Sequence, residues 1–95
     1  MLRADRLYCF YQKIRSDNRI SPTHISLYFA LLNEAMLLHD NTFIVFRGPI
    51  MRDAKIFSPV TYNRCMRDLH AYGYIEYRPS FVYGKSEVLI VELGI

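Results

Sequence analysis

The chain has 95 residues, 52% of them apolar and 22% charged, a size and balance that fit one globular domain over residues 1–95 and exclude a disordered or collagen-like chain or a second catalytic domain. Its net charge of +3 is mildly basic, and its longest uncharged stretch, Ile20 to Asn33, has 14 residues against the ~20 apolar residues that span a bilayer, so no transmembrane helix is expected. Arg3, Asp5, Arg6, Lys13 and Arg15 interrupt every candidate signal-peptide core, which places the expected chain in the cytoplasm.

Leu7, Phe10, Tyr11 and Ile14 follow the i, i+3, i+4, i+7 rule and predict a one-faced helix over about 4 to 17. Ser21-Pro22 then reads as an N-cap followed by proline at the first helical position, where its missing N–H costs nothing. In this second helix Ile25, Tyr28, Phe29, Leu32 and Met36 form one apolar stripe, and Leu27, Leu31 and Leu38 form a second. A helix apolar on most of its circumference is central to the core, or lends one stripe to a partner. His39-Asp40-Asn41 ends it.

Phe43 to Phe46 reads as a short strand, followed by two helical turns over Ile50 to Ile56 with Pro49 at their first position. Phe57-Ser58-Pro59 breaks the chain again, with Ser58 as the next cap. Tyr62, Cys65, Met66 and Leu69 repeat at helical spacing and predict a buried stripe, and Gly73 supplies the left-handed residue that closes the helix. Tyr74 to Arg78 and Glu87 to Leu93 are two β-rich runs able to pair antiparallel. Pro79 to Ser86 between them is too long for a tight hairpin and forms a protruding loop.

Charge is unevenly spread. Residues 1 to 20 carry five basic and two acidic groups, residues 21 to 46 none and two, and Arg47 to Arg67 five basic groups against Asp53 alone. With the core stripe inward, the opposite face of the helix after Ser58 shows Thr61, Asn63, Arg64 and Arg67, types that pair with base edges or hold phosphates. The helix start at Ser58 to Val60 offers free N–H groups suited to phosphate. Such a face equally suits plain solvation.

The order helix, helix, short strand, short helix, turn, helix, strand, loop, strand, with Leu69-x-x-x-Gly73-Tyr74-Ile75, resembles the winged helix-turn-helix family over about Ile20 to Leu93. The runs Ser21 to Tyr28 and Thr61 to His70 are similar to small bacterial winged-helix proteins associated with mobile genetic elements. The resemblance implies an α+β winged-helix fold of about four helices, a small antiparallel sheet and a C-terminal wing hairpin. It also implies a recognition helix after Phe57 in the major groove of double-stranded DNA, and a wing near Tyr83 to Ser86 on the backbone or minor groove. Ser58, Thr61, Asn63, Arg64, Arg67, Arg78, Lys85 and Ser86 are the expected DNA contacts; Arg47, Arg52 and Lys55 suit phosphate clamps and plain surface solubility equally well. Many helix-turn-helix turns carry glycine where this chain has Phe57, which leaves the turn geometry open.

The expected function is transcriptional or mobile-element regulation by site occupancy, without enzyme chemistry or a cofactor. The alternative is a winged-helix module that docks proteins through the uncharged start of helix 2. A homodimer through helix 1, joined by the second stripe of helix 2, is the expected assembly. His24, His39, His70, Cys9 and Cys65 lack a recognised metal spacing, and His24 near a helix start reads as a capping or packing residue. Cys65, Asp68 and His70 are close enough in sequence to suggest a thiol nucleophile, but Cys65 lies on the core stripe.

Overall fold

The computed structural model describes residues 3–93; the first two and last two positions of the expected 1–95 domain lie outside them. Four helices, α1 (Arg3–Ile14), α2 (Pro22–Leu38), α3 (Arg47–Ala54) and α4 (Pro59–Ala71), enclose three strands, β1 (Thr42–Ile44), β2 (Ile75–Arg78) and β3 (Glu87–Ile90). The fold is α+β, with one antiparallel sheet in the order β1-β3-β2. β3 is therefore central, pairing Val88 with Phe43 on one side and with Tyr77 on the other. Phe43, Ile75, Val88 and Ile90 turn inward from these strands and join the helical residues in one core. No helix among the described residues is long and apolar enough to cross a membrane.

Helix α2 is the central element. Leu27, Tyr28, Leu31 and Leu32 are essentially inaccessible, so most of its second stripe is core and is not available to a partner. Of that stripe only Leu38, at the helix end, is exposed. The proposed contribution of Leu27 and Leu31 to a dimer or docking surface is thus excluded by packing.

Helix α1 departs from its predicted stripe. Phe10 is buried and Ile14 packs on the core, but Leu7 and Tyr11 are exposed and Cys9 is buried in their place. The cause is Phe10, which stacks on Tyr28 at 3.9 Å and meets Tyr74 edge-on at 5.7 Å, rotating the helix about this one aromatic anchor. α1 also stops at Ile14 instead of residue 17, because Asp17 accepts both the Arg19 backbone N–H (3.2 Å) and its guanidinium (2.8 and 2.9 Å). An aspartate bonded to the chain two residues on favours a turn over a further helical turn.

Helix α3 starts two residues before Pro49, which occupies the third helical position and not the first. Its missing N–H is still one of the helix-start donors that have no intrahelical partner, so the proline is accommodated there too. The α3–α4 turn is made by Lys55, left-handed at φ 62°, while the Ile56 N–H returns to the Met51 carbonyl at 2.9 Å. The left-handed position precedes Phe57 by two residues. Phe57 itself stands in solvent and needs no special backbone.

Helix α4 follows its predicted pattern closely. Ser58 Oγ accepts the Thr61 N–H at 3.3 Å, Pro59 is the first helical residue, and Tyr62, Cys65, Met66 and Leu69 are buried. Gly73 ends it at φ 89°, with its N–H on the His70 carbonyl and the Tyr74 N–H on the Leu69 carbonyl at 2.9 Å. That pair of bonds is the Schellman closure expected of a glycine past a helix end. His70 Nδ1 then accepts the Tyr77 N–H at 2.9 Å, tying α4 to β2.

Candidate nucleic-acid interface

The outward face of α4, the start of α3 and the β2–β3 loop enclose a cleft of about 650 Å³. Each wall has a local cause. The inward stripe of α4 leaves Asn63 and Arg67 facing the cleft, and Phe46 turns the chain from β1 into α3 so that Arg47 and Gly48 reach it. The loop contributes Pro79 to Gly84 and Ser86 as the opposite wall.

That loop is closed by its own hydrogen bonds. Ser86 Oγ accepts the Ser80 N–H at 3.0 Å and lies 3.3 Å from the Ser80 carbonyl, to which it donates. Ser80 Oγ accepts the Val82 N–H at 3.1 Å, and the Lys85 N–H returns to the Val82 carbonyl at 3.1 Å through left-handed Gly84. The Tyr83 ring leans on Phe46 with centroids 5.4 Å apart.

Electrostatics in the cleft have one sign. Arg47 and Arg67 line it, no carboxylate does, and neither arginine forms a salt bridge among the described residues. Tyr62 and Tyr77 lie beneath them with phenols raised above the ordinary 10.0, chiefly by burial, while the nearby Arg47 opposes the rise in both and Arg67 opposes it in Tyr77. A concave, cationic, partly aromatic surface suits a phosphate-bearing polymer better than an apolar ligand.

The expected contact residues separate into groups. Asn63, Arg67 and Ser86 share the cleft, joined by Arg47. Thr61 and Arg64 lie on α4 but line no part of it, and Lys85 stands exposed on the loop. Ser58 is engaged as the α4 cap, and Ser86 as the loop clasp, so both hydroxyls already have structural roles. Arg78 is held by Glu87 at 2.6 Å and Glu76 at 3.5 Å, which offsets the charge expected to meet phosphate. Arg52 is 4.0 Å from Asp53, and Lys55 makes the turn. Tyr77 and Phe46 were not legible as site residues. The pairing of β3 between β1 and β2 brings their strands together, and only Tyr77's place in the alternation of β2 hinted at this.

The suggested thiol cluster does not converge. Cys65 is fully buried with its thiol raised by desolvation, Asp68 Oδ2 is 2.8 Å from His24 Nε2, and His70 holds the Tyr77 N–H. Among the described residues no three His, Cys, Asp or Glu side chains gather as metal ligands. No family model, curated protein or solved structure matches the chain.

Proposed function

We propose that the chain is a winged helix-turn-helix protein that binds double-stranded DNA sequence-specifically and regulates transcription or a mobile element by occupying its site. In this reading α3, the Lys55 turn and α4 are the helix-turn-helix, α4 enters the major groove, and the β2–β3 loop is the wing. The observation that carries it is the carboxylate-free cleft in which Arg47, Asn63 and Arg67 face the loop. A groove ~12 Å wide admits a helix, and the arginines flanking that helix would hold phosphates or guanine edges. The protein would act in the cytoplasm by occupancy, without a cofactor.

The test is a gel shift on mixed-sequence duplex at a series of salt concentrations. Affinity is expected to fall steeply from low to moderate salt, because each neutralised phosphate releases counterions. Binding that ignores salt, or no binding at low salt, would reject the reading. The protein-docking alternative loses Leu27 and Leu31 to the core but keeps exposed Phe29, Leu37 and Leu38 on α2. A partner is also supported by the exposed Leu7, Tyr8 and Tyr11 on α1, the face through which a homodimer would pair half-sites.

A further inference from the structure

The tip of the β2–β3 loop exposes Phe81, Val82 and Tyr83 in succession, with Phe81 and Tyr83 at 111% and 88% of full exposure. Leaving two consecutive apolar side chains and a tyrosine largely in water is unfavourable for a loop whose only task is to connect two strands. The loop is also built to hold this shape. Ser80 and Ser86 clasp its base, the Lys85 N–H to Val82 carbonyl bond closes its tip, and Gly84 takes the φ of 78° that the tip requires. Tyr83 leans on Phe46, whereas Phe81 makes no ring contact among the described residues and is fully exposed.

Charge selects the occupant. The apolar tip borders the cleft that carries Arg47 and Arg67 and no carboxylate, and Lys85 stands beside it. A partner that is anionic along its length and also offers flat apolar faces to an aromatic ring is a nucleic acid, whose phosphates and bases meet the two demands together. Resting on the DNA-binding reading above, we propose that Phe81 is a wedge that enters a base step next to the bound site, unstacks it and bends the duplex. Apolar side chains inserted between bases act in this way elsewhere, trading stacking for a bent duplex that covers more protein. The cost of unstacking makes a step that is already weakened the preferred target.

The experiment compares a short mixed-sequence duplex, fully paired, with the same duplex carrying a central T·T mismatch and 2-aminopurine beside it. The wild-type chain is expected to bind the mismatched duplex roughly ten-fold more tightly and to raise the 2-aminopurine fluorescence. Phe81→Ala, at a fully exposed position and therefore neutral to folding, should bind the two duplexes alike and lose the fluorescence rise, while Phe81→Leu should keep part of each effect. Equal wild-type affinity for the two duplexes without a fluorescence change overturns the wedge and leaves the DNA-binding reading standing. Failure to bind either duplex at low salt overturns that reading first. A Phe81-dependent oligomer seen by sedimentation without DNA would also overturn the wedge, by assigning the tip to a protein contact.

Discussion

His24 Nε2 lies 2.8 Å from Asp68 Oδ2, joining the first turn of α2 to the middle of α4 across 44 residues of sequence. The Ser21 N–H points at His24 Nδ1 at 2.9 Å, so Nδ1 accepts and Nε2 carries the proton given to Asp68. Histidine here replaces the glutamate of a capping box, and its other nitrogen fixes α4 against the central helix. His24→Ala should cost about 1–3 kcal/mol, since it leaves the Ser21 N–H and Asp68 without partners. Asp68→Asn, whose side-chain carbonyl can still accept from Nε2, should cost less than about 1 kcal/mol. Urea unfolding of the two variants checks this, and equal losses would mean that charge, not acceptance, makes the link.

Stability should be flat from about pH 4 to pH 10 and fall on both sides. On the acid side, hydrogen bonds from Arg19 and from the Tyr74 hydroxyl (2.8 Å) hold the Asp17 carboxyl well below its ordinary 3.8. A depressed folded value means the stabilisation is complete above the unfolded value and is lost as pH falls through the folded one. On the alkaline side burial raises Tyr28 to about 12 and pushes Tyr62 and Tyr74 up from 10.0 as well. Raised folded values give the opposite sign: the contribution is complete below pH ~10 and is lost as pH climbs. Asp17→Asn should flatten the acid limb and also soften the alkaline one, because the Asp17 carboxylate helps burial to raise the Tyr74 phenol, as read by circular dichroism melts against pH.

Cys65 should resist thiol reagents in the native state. It is fully buried and its thiol is raised by desolvation, so little reactive thiolate reaches solvent. Cys65→Ser should destabilise the fold by ~1–3 kcal/mol, because the hydroxyl would have to be desolvated or find a partner among apolar neighbours. Fast labelling of Cys65 under conditions that leave the fold intact would remove it from the core.

Local signals and long-range ones differ in how far they were legible. The capped start of α4, its four buried residues and the Gly73 closure depend on neighbours within one helical turn or two, and each was readable from spacing alone. The rotation of α1 was not, since Phe10 takes its orientation from Tyr28 and Tyr74, distant in sequence. The turn between α3 and α4 was misplaced for a related reason. Lys55 caps α3 in the left-handed region at φ 62°, a conformation a lysine rarely adopts, so no glycine marks the position. The cleft suffered most. Arg78 looked like a free cation in sequence, and only the β2–β3 register, which sets Arg78 opposite Glu87, removes it.

Lys55→Gly should therefore stabilise the chain. A non-glycine residue in that region costs roughly 1–2 kcal/mol, and glycine gives back about 0.5–1 kcal/mol of unfolded-state entropy, leaving a net gain of about 0.5–1 kcal/mol. Gly73→Ala, at φ 89°, should lose roughly 1–2 kcal/mol by the same conformational argument, although no atom crowds a Cβ there. Chemical denaturation of both variants provides the check; a destabilised Lys55→Gly would show that the lysine side chain makes a contact worth more than the strain.

The proposed division of labour on DNA follows from what each cation is already bound to. Arg67 and Asn63 face the cleft from a rigid helix, so alanine at either should cost roughly 1–3 kcal/mol on a preferred duplex and little on a scrambled one. Lys85 sits on the loop without a salt bridge among the described residues and should supply phosphate affinity, so Lys85→Ala should weaken both duplexes alike and flatten the salt slope by about one phosphate contact. Arg78 is the discriminating case. With Glu87 at 2.6 Å and Glu76 at 3.5 Å it has little net charge to offer, so Arg78→Ala should change affinity far less than Lys85→Ala. Removing its nearer partner instead, with Glu87→Gln, should leave the guanidinium with Glu76 alone and tighten binding to both duplexes, most at low salt where the field is least screened. Titration of these variants against the two duplexes at several salt concentrations decides the matter. If Arg78→Ala proves as costly as Lys85→Ala, its ion pairs must open on DNA, and the arginine expected from sequence to hold phosphate does so after exchanging one anion for another.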